Sequence, residues 1–181
     1  MAETSTSLRS SKINISTRKI LAAVIAVTLI ALTVLGGISM SSSPSSPSSS
    51  TGETVMPVVS ALAGEEPTIS KPEGVAPTEL TTEDLIVGTG AEVLPTSTLT
   101  VHYTLMAWST GKIIESSWGG QPATFPLAGV VEGWQKGLPG AQVGGRRLLI
   151  LPPSMGYGAA GSGPIGPNET LIFSVDILGV S

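Results

Sequence analysis

Val130-Val-Glu-Gly-Trp-Gln-Lys-Gly-Leu138 is the stretch that decides the fold. Its large apolar residues recur at helical spacing and therefore share one face of a helix. A glycine on each side of Trp134 favours a single short helix, which cannot hold itself together in water. Such a helix must pack against something larger, and the flanking sequence is typical of β-strands. We therefore predict a short helix clasped by a sheet, with the Trp134 ring facing the space between them.

Composition excludes several classes of site. The chain of 181 residues contains no cysteine and a single histidine, His102. No disulfide framework, thiolate metal site or cysteine-linked lipid is possible, and a metal centre built on several imidazoles is excluded. The formal net charge of -4, with few and scattered basic residues beyond the N-terminus, argues against nucleic-acid binding.

The N-terminal 40 residues are typical of a membrane segment. Residues 1–19 are polar and basic, and residues 20–40 run without a charge. A helix of that length spans a hydrocarbon core of roughly 30 Å. The cations predict a cytoplasmic N-terminus and an extracytoplasmic C-terminal domain. We predict a single-pass signal-anchor in the cell membrane. The alternative is a secretory signal peptide, cleaved to release the protein, but the apolar run exceeds the usual signal core of about 7–15 residues.

Residues 41–77 are predicted to be a disordered Ser/Pro-rich linker. Residues 41–52 are a low-complexity run of serine, proline and a few other small residues. Further prolines at positions 57, 67, 72 and 77 interrupt any helix, so the prediction extends disorder to Pro77. The linker is interpreted as a passive tether.

Residues 78–181 read as one folded domain. Alternating or continuous apolar residues, separated by Gly/Pro-rich turns, predict short strands on both sides of the Trp134 helix. The pattern predicts an α+β domain with an antiparallel sheet of about five strands wrapped around one short helix. The predicted strand segments are 85–87, 98–107, 112–117, a short edge strand at 124–127, 146–151 and 170–178.

Six short motifs, taken together and in order, resemble the FKBP-type peptidyl-prolyl cis-trans isomerases. The resemblance covers about Glu79 to Ser181, and the stretch Pro122-Ala-Thr-Phe125 is most similar to bacterial extracytoplasmic members. The family fold is a five-stranded antiparallel sheet around one short helix. The motifs are Val101-His-Tyr-Thr104, Gly111-Lys112 with Glu115-Ser-Ser117, Val130-Val131-Glu-Gly-Trp134, Gly156-Tyr-Gly158, Ile165-Gly-Pro-Asn168 and Thr170-Leu-Ile-Phe173.

The resemblance implies an apolar pocket that receives a prolyl ring. It implies that Trp134 forms the floor, that the hydroxyl of Tyr157 and the backbone N–H of Val131 donate hydrogen bonds to the ligand, and that Glu115 holds Tyr103. Proline-containing polypeptides are the implied substrates, macrolides are possible inhibitors, and no metal or cofactor is implied. The implied catalytic residues are Tyr103, Glu115, Trp134 and Tyr157, and the implied substrate-binding residues are Ile114, Phe125, Val130, Val131, Ile165 and Phe173.

The sequence departs from the family pattern at several positions. Glu115 stands where most members have aspartate, Ile114 and Ala123 stand where phenylalanine is common, and Gly166 replaces a usual proline. These changes predict a less aromatic pocket. His102 should point to the opposite face of its strand from Tyr103 and is interpreted as non-catalytic.

Two functions fit this pattern. The first is a membrane-tethered prolyl isomerase that assists the folding of exported proteins. The second is a chaperone or adaptor that holds proline-containing segments with little or no turnover, which Ile114 and Ala123 favour. Trp134 could instead have a purely structural role as an ordinary core residue, and the domain would then have no pocket.

Overall fold

The computed structural model describes residues 53–181. The predicted basic N-terminus at 1–19, the predicted signal-anchor at 20–40 and the first part of the predicted linker lie outside the described residues. Across the described part of the chain, no helix is both long and apolar enough to cross a membrane. The elements are β1 (Thr81–Ile86), β2 (Thr98–Ala107), β3 (Ile113–Ser116), β4 (Ala123–Pro126), α1 (Glu132–Gly137), β5 (Arg146–Leu151) and β6 (Leu171–Val180), with two short 3-10 turns at Leu127–Gly129 and Pro153–Met155.

The strands form one antiparallel sheet in the order β1-β5-β6-β2-β3. β4 pairs with the first half of β2, through Leu99↔Phe125, and β3 pairs with the second half, through Leu105↔Glu115. The predicted antiparallel sheet and short helix are confirmed, but the predicted count of five strands is wrong. β2 is ten residues long, so two short strands share one of its edges and the sheet has six strands.

The helix α1 lies against β5, and its glycines allow the close approach. A Cβ atom added at Gly133 would collide with Leu151, and one added at Gly137 would lie 2.5 Å from the Leu149 side chain. The two glycines therefore do more than keep the helix short. They bring α1 down onto the sheet, so that Trp134 is part of the main core with the inward-facing residues of β2, β5 and β6.

The other face of the sheet is covered by residues 53–77, which we name the N-terminal strap. The strap is an irregular hairpin, bridged at Val55↔Glu73 and Val59↔Ile69. Val59 is 8% exposed and packs in a second core cluster. This cluster contains the sheet residues Met106, Leu148, Ile150 and Ile172, together with Trp108 directly after β2.

The predicted disorder is therefore wrong for residues 53–77. Proline interrupts a helix, but its fixed φ is compatible with an extended edge strand that needs no N–H donor at that position. Pro57, Pro67 and Pro72 are buried in the structure. The residues that exclude a helix thus contribute buried contacts in an extended hairpin.

A buried ion pair joins the strap to the sheet. Arg146 is fully buried, and its Nε donates to both carboxylate oxygens of Asp176 at 3.0 and 2.9 Å. Its Nη1 donates to the carbonyl oxygen of Ser60 at 2.7 Å, and its Nη2 donates to that of Glu65 at 2.6 Å. A buried guanidinium needs such partners because its desolvation is costly. The strap backbone supplies two of them.

A fragment that begins at Thr78, the predicted domain start, is expected to be less stable than one that begins at Glu53. Removal of the strap exposes the second core cluster and takes two carbonyl acceptors from Arg146. We expect the free energy of unfolding to fall by on the order of 3 kcal/mol. Urea unfolding of the two fragments measures the difference, and equal midpoints and slopes would show that the strap adds nothing to the fold.

Candidate active site

A cavity of about 340 Å³ lies between α1 and the sheet. Tyr157, on the Gly/Pro-rich segment after β5, is among the residues that line it. Trp134, at only 4% exposure, nevertheless borders this space. The alternative of a sealed core tryptophan is therefore wrong. The lining residues are Tyr103, Leu105, Glu115, Phe125, Gly129, Val130, Val131, Trp134, Tyr157 and Phe173.

Three aromatic rings stand almost perpendicular to the Trp134 ring. The centroid of Tyr103 lies 5.7 Å from that of Trp134 at 84°, Phe125 lies 6.0 Å away at 88°, and Phe173 lies 5.4 Å away at 83°. Edge-to-face contacts of this kind are favourable for aromatic pairs. We name this arrangement the aromatic box. The indole of Trp134 forms its floor, and the rings of Tyr103, Phe125 and Phe173 form its walls.

The sheet register explains this convergence. Tyr103 and Leu105 are two residues apart on β2 and therefore share the inward face. Phe173 pairs with Leu105 on one edge of β2, and Phe125 pairs with Leu99 on the other edge. Three strands thus deliver aromatic side chains toward one turn of α1.

All of the predicted site residues except Ile114 and Ile165 line the cavity. Ile165 is 8% exposed and belongs to the main core cluster, and Ile114 is half-buried and packs against that cluster. Neither is among the residues that line the cavity, so their place in the pocket wall stays a prediction. Leu105 was missed, although its alternation with Tyr103 could have identified it. Gly129 was also missed, and no side-chain signal could have revealed it.

Tyr103 and Glu115 form a short hydrogen bond at the edge of the cavity. The Tyr103 hydroxyl donates to Oε1 of Glu115 at 2.5 Å. Burial, together with this hydrogen bond and the negative charge of Glu115, raises the pKa of Tyr103 well above its usual value. The hydroxyl therefore remains protonated at neutral pH, and its proton is directed at Glu115. Glutamate at this position reaches the tyrosine as the resemblance implied.

The stability of the protein should depend on pH through Tyr103. In the unfolded chain a tyrosine titrates near pH 10, whereas folded Tyr103 keeps its proton to higher pH. The contribution of Tyr103 to the free energy of unfolding is thus fully present below about pH 10. It is lost as the pH rises above that value. Between pH 9 and 11 we expect a loss of up to about 1 kcal/mol, after allowing for solvent screening. Urea unfolding of the wild type should show this loss. In Tyr103→Phe the decrease in the free energy of unfolding between pH 9 and 11 should be smaller by the amount due to Tyr103. Identical pH profiles would contradict the assignment.

Two residues that line the cavity carry a potential donor without a partner among the described residues. The Tyr157 side chain is 39% exposed, and its hydroxyl has no hydrogen bond within residues 53–181. The backbone N–H of Val131 likewise donates to no described residue. The Tyr157 segment is nevertheless held in place, because the N–H of Gly158 donates to the Pro153 carbonyl at 2.8 Å and the N–H of Asn168 to the Gly158 carbonyl at 2.9 Å.

His102 lies outside the cavity lining, and its predicted orientation away from Tyr103 is confirmed. Its Nδ1 lies 3.0 Å from the Ser117 hydroxyl, and its ring stacks on Trp118 at a centroid distance of 4.5 Å. Within the described part of the chain, no three histidine or acidic side chains lie close enough together to hold a metal ion. The cavity instead offers apolar walls and two donors at its rim.

Comparison with known proteins identifies similar chains. The sequence profile described as "FKBP-type peptidyl-prolyl cis-trans isomerase" matches residues 90–178. The chain is 46% identical over 115 residues to a "Probable FK506-binding protein" of Corynebacterium glutamicum, covering 63% of this chain and 98% of that protein. It is 41% identical over 121 residues to an "FK506-binding protein" of Streptomyces anulatus, covering 64% and 98% respectively. The crystal structure of FkpA from Escherichia coli is similar with a TM-score of 0.55 and 36% identity, over 57% of this chain and 49% of that one.

Proposed function

The chain belongs to the FKBP-type peptidyl-prolyl cis-trans isomerases, and from that premise we propose that it catalyses rotation about X–Pro bonds by binding the prolyl ring in the aromatic box over Trp134. The single observation that carries this proposal is the open cavity bordered by Trp134 and three nearly perpendicular rings. A five-membered apolar ring needs a site of this kind, with few polar groups and enclosing walls.

The chemistry requires no nucleophile. Rotation about an X–Pro amide must break its resonance over a barrier of about 18–20 kcal/mol, and it takes tens to hundreds of seconds without a catalyst. The planar amide has charge separation that the twisted amide has lost. An apolar cavity therefore disfavours the planar ground state relative to the transition state.

The two donors at the rim contribute a second effect. The Tyr157 hydroxyl and the Val131 N–H border the same cavity as Trp134. Donors placed for the carbonyl groups of the twisted peptide stabilise that geometry more than the planar one. Tyr103 serves differently: its hydroxyl is already bonded to Glu115, so it acts as an oriented wall.

Tyr157→Phe tests the donor role. One neutral hydrogen bond contributes about 1 kcal/mol, so we expect kcat/KM to fall about fivefold in a protease-coupled assay with an Ala-Leu-Pro-Phe-type peptide. The isosteric change keeps the ring, so the unfolding temperature should stay within about 2 °C of the wild type. Unchanged kcat/KM would remove Tyr157 from the mechanism.

The relatives named FK506-binding proteins support a related proposal about ligands. A macrolide of that type occupies the same cavity and competes with the prolyl peptide. Ala123 is not among the cavity-lining residues, and neither is Ile114, so their departures from the family pattern change the surroundings of the box more than the box itself. Competitive inhibition, with KM raised and kcat unchanged, is the expected result.

The cellular role is an extracytoplasmic one. The basic residues 1–19 followed by the uncharged residues 20–40 support a single-pass anchor with residues 78–181 outside the cytoplasm, where the domain assists the folding of exported proteins. Secretion after signal cleavage is the alternative. Protease added to intact cells should remove the domain from a membrane-bound N-terminal piece. Protection from protease would contradict the orientation, and recovery of the domain from the medium would support secretion.

The second candidate function is a binding module with little turnover, since a cavity that holds proline does not by itself prove catalysis. Ile114 and Ala123, which stand where phenylalanine is common in the family, favour it. A peptide that binds measurably while its cis-trans kinetics stay unchanged would establish this second function.

A further inference from the structure

We propose that Glu66, on the N-terminal strap, is a positioning residue for the isomerase site. Through Ser116 it fixes β3, the strand that carries Glu115, and Glu115 in turn orients Tyr103 in the aromatic box. This inference rests on the proposed function, and it assigns part of the site to a segment that precedes the β1–β6 domain.

The link between the strap and β3 is one short hydrogen bond. The Ser116 hydroxyl donates to Oε1 of Glu66 at 2.6 Å. The same hydroxyl oxygen accepts a hydrogen bond from the backbone N–H of Trp118 at 3.3 Å. Because hydrogen bonds to charged groups are stronger than neutral ones, the Glu66 contact is the stronger of the two. Ser116 is thus held from the strap side, and it in turn holds the first residues of the following loop.

β3 needs such a contact because its own pairing is slight. It is four residues long, its outer edge is unpaired within the described sheet, and its register with β2 shifts between Leu105 and Met106. A short edge strand with few backbone hydrogen bonds opens easily. Its position therefore depends on the side chains at its end.

The next residue, Ser117, connects the same corner to Tyr103. The backbone N–H of Ser117 donates to the Tyr103 carbonyl at 3.0 Å, and the Ser117 hydroxyl accepts from the Tyr103 N–H at 2.9 Å. Adjacent serines thus hold the end of β3 from two sides: Ser116 through the strap, and Ser117 through the backbone of a cavity residue.

Glu66 itself is well placed to serve as a fixed point. The carbonyl of the preceding Glu65 accepts a 2.6 Å hydrogen bond from the buried Arg146, and the following Pro67 is buried and has a fixed φ. The Glu66 side chain is exposed, but its backbone lies between these two constraints. The sheet thereby determines where the Glu66 carboxylate meets Ser116.

Loss of the Glu66 contact should act on catalysis more than on folding. If β3 shifts, Glu115 can no longer hold the Tyr103 hydroxyl at 2.5 Å, and the Tyr103 wall loses its fixed orientation against Trp134. Displacement of a positioning group by about 1 Å can cost up to about a hundredfold in rate. A partial displacement through one exposed hydrogen bond should cost less, about fivefold.

The test uses the full-length chain, with a mild detergent in every sample because of its apolar N-terminal stretch. We expect Glu66→Ala and Ser116→Ala each to lower kcat/KM for a prolyl peptide about fivefold, mainly through kcat, with little change in unfolding temperature. Glu66→Gln retains an acceptor oxygen and should restore most of the rate. Glu65→Ala is the matched control, because the Glu65 side chain has no hydrogen bond to any described residue, and it should match the wild type.

A double-variant cycle separates positioning from a general structural effect. In the background Glu115→Ala, Glu66→Ala should cause no further loss of kcat/KM, because its effect passes through Glu115. Equal losses in both backgrounds would overturn the proposal, as would identical rates for Glu66→Ala and Glu65→Ala in an active enzyme. An inactive wild type would instead refute the proposed function, so the two failures are distinguishable.

Discussion

Trp134→Leu is expected to lower kcat/KM for a prolyl peptide about 30-fold. The leucine removes the indole that borders the cavity and, with it, the edge-to-face contacts of Tyr103, Phe125 and Phe173. These contacts stabilise the fold, whereas the rate depends on the contact of the indole with the prolyl ring of the twisted peptide. A loss of about 2 kcal/mol from the transition state corresponds to about 30-fold in rate. The protease-coupled assay measures this effect.

Trp108→Leu is the matched control for this experiment. Trp108 is 6% exposed, close to the 4% of Trp134, but it belongs to the second core cluster on the other face of the sheet. We expect a similar or larger loss of stability and little change in kcat/KM at temperatures where the variant is folded. If both variants lost activity in proportion to their stability, the indole of Trp134 would have only a packing role.

Arg146→Met is expected to cause the largest loss of stability of any single change considered. It removes the partner of the buried Asp176 carboxylate and both hydrogen bonds to the strap backbone. Removal of one member of a buried ion pair costs about 3–5 kcal/mol because the other charge is left uncompensated. Urea unfolding at pH 7 measures the loss, and the wild-type fold should be retained in mild conditions.

Two further variants test the reason for that loss. The double change Arg146→Met with Asp176→Leu removes both charges and should recover much of the stability. Lys136→Met is the control, since Lys136 and Glu132 form an ion pair whose side chains are 56% and 53% exposed, and it should cost less. A loss from Arg146→Met below about 1 kcal/mol, typical of a surface pair, would contradict the account of the strap junction.

Much of the sheet could be predicted because apolar alternation is a local signal. β2 begins and ends at the predicted residues 98 and 107, and β5 at 146 and 151. The six predicted segments include both β3 and β4. The count of about five strands was wrong because these two segments pair with the same edge of β2 as separate strands.

The strap could not be predicted because its stability is not local. The proline-interrupted sequence of residues 53–77 lacks a helical or strand period of useful length. Its order depends on Val59 in the second core cluster and on carbonyl groups that accept from Arg146, 86 and 81 residues away along the chain. Contacts between residues so far apart in the chain produce no pattern that a short stretch of sequence can show.

Most of the site followed from motif order, and the exceptions have a geometric cause. Ile165 lies in a recognisable motif and pairs with Ser162, and its side chain joins the main core cluster that also contains Trp134. Leu105 follows from the alternation that identified Tyr103. The position of Glu66 beside Ser116 could not be foreseen, since it depends on the unpredicted strap.

Exchange spectroscopy by NMR tests the central claim most directly. A prolyl peptide at equilibrium is observed with the full-length chain at about one hundredth of its concentration, with no protease present. The uncatalysed interconversion takes tens to hundreds of seconds, so exchange peaks between the cis and trans forms are absent at a mixing time of about one second. The account predicts that such peaks appear with the wild type and that the exchange rate falls about 30-fold with Trp134→Leu. Peptide resonances that shift on binding while no exchange peaks appear would contradict it.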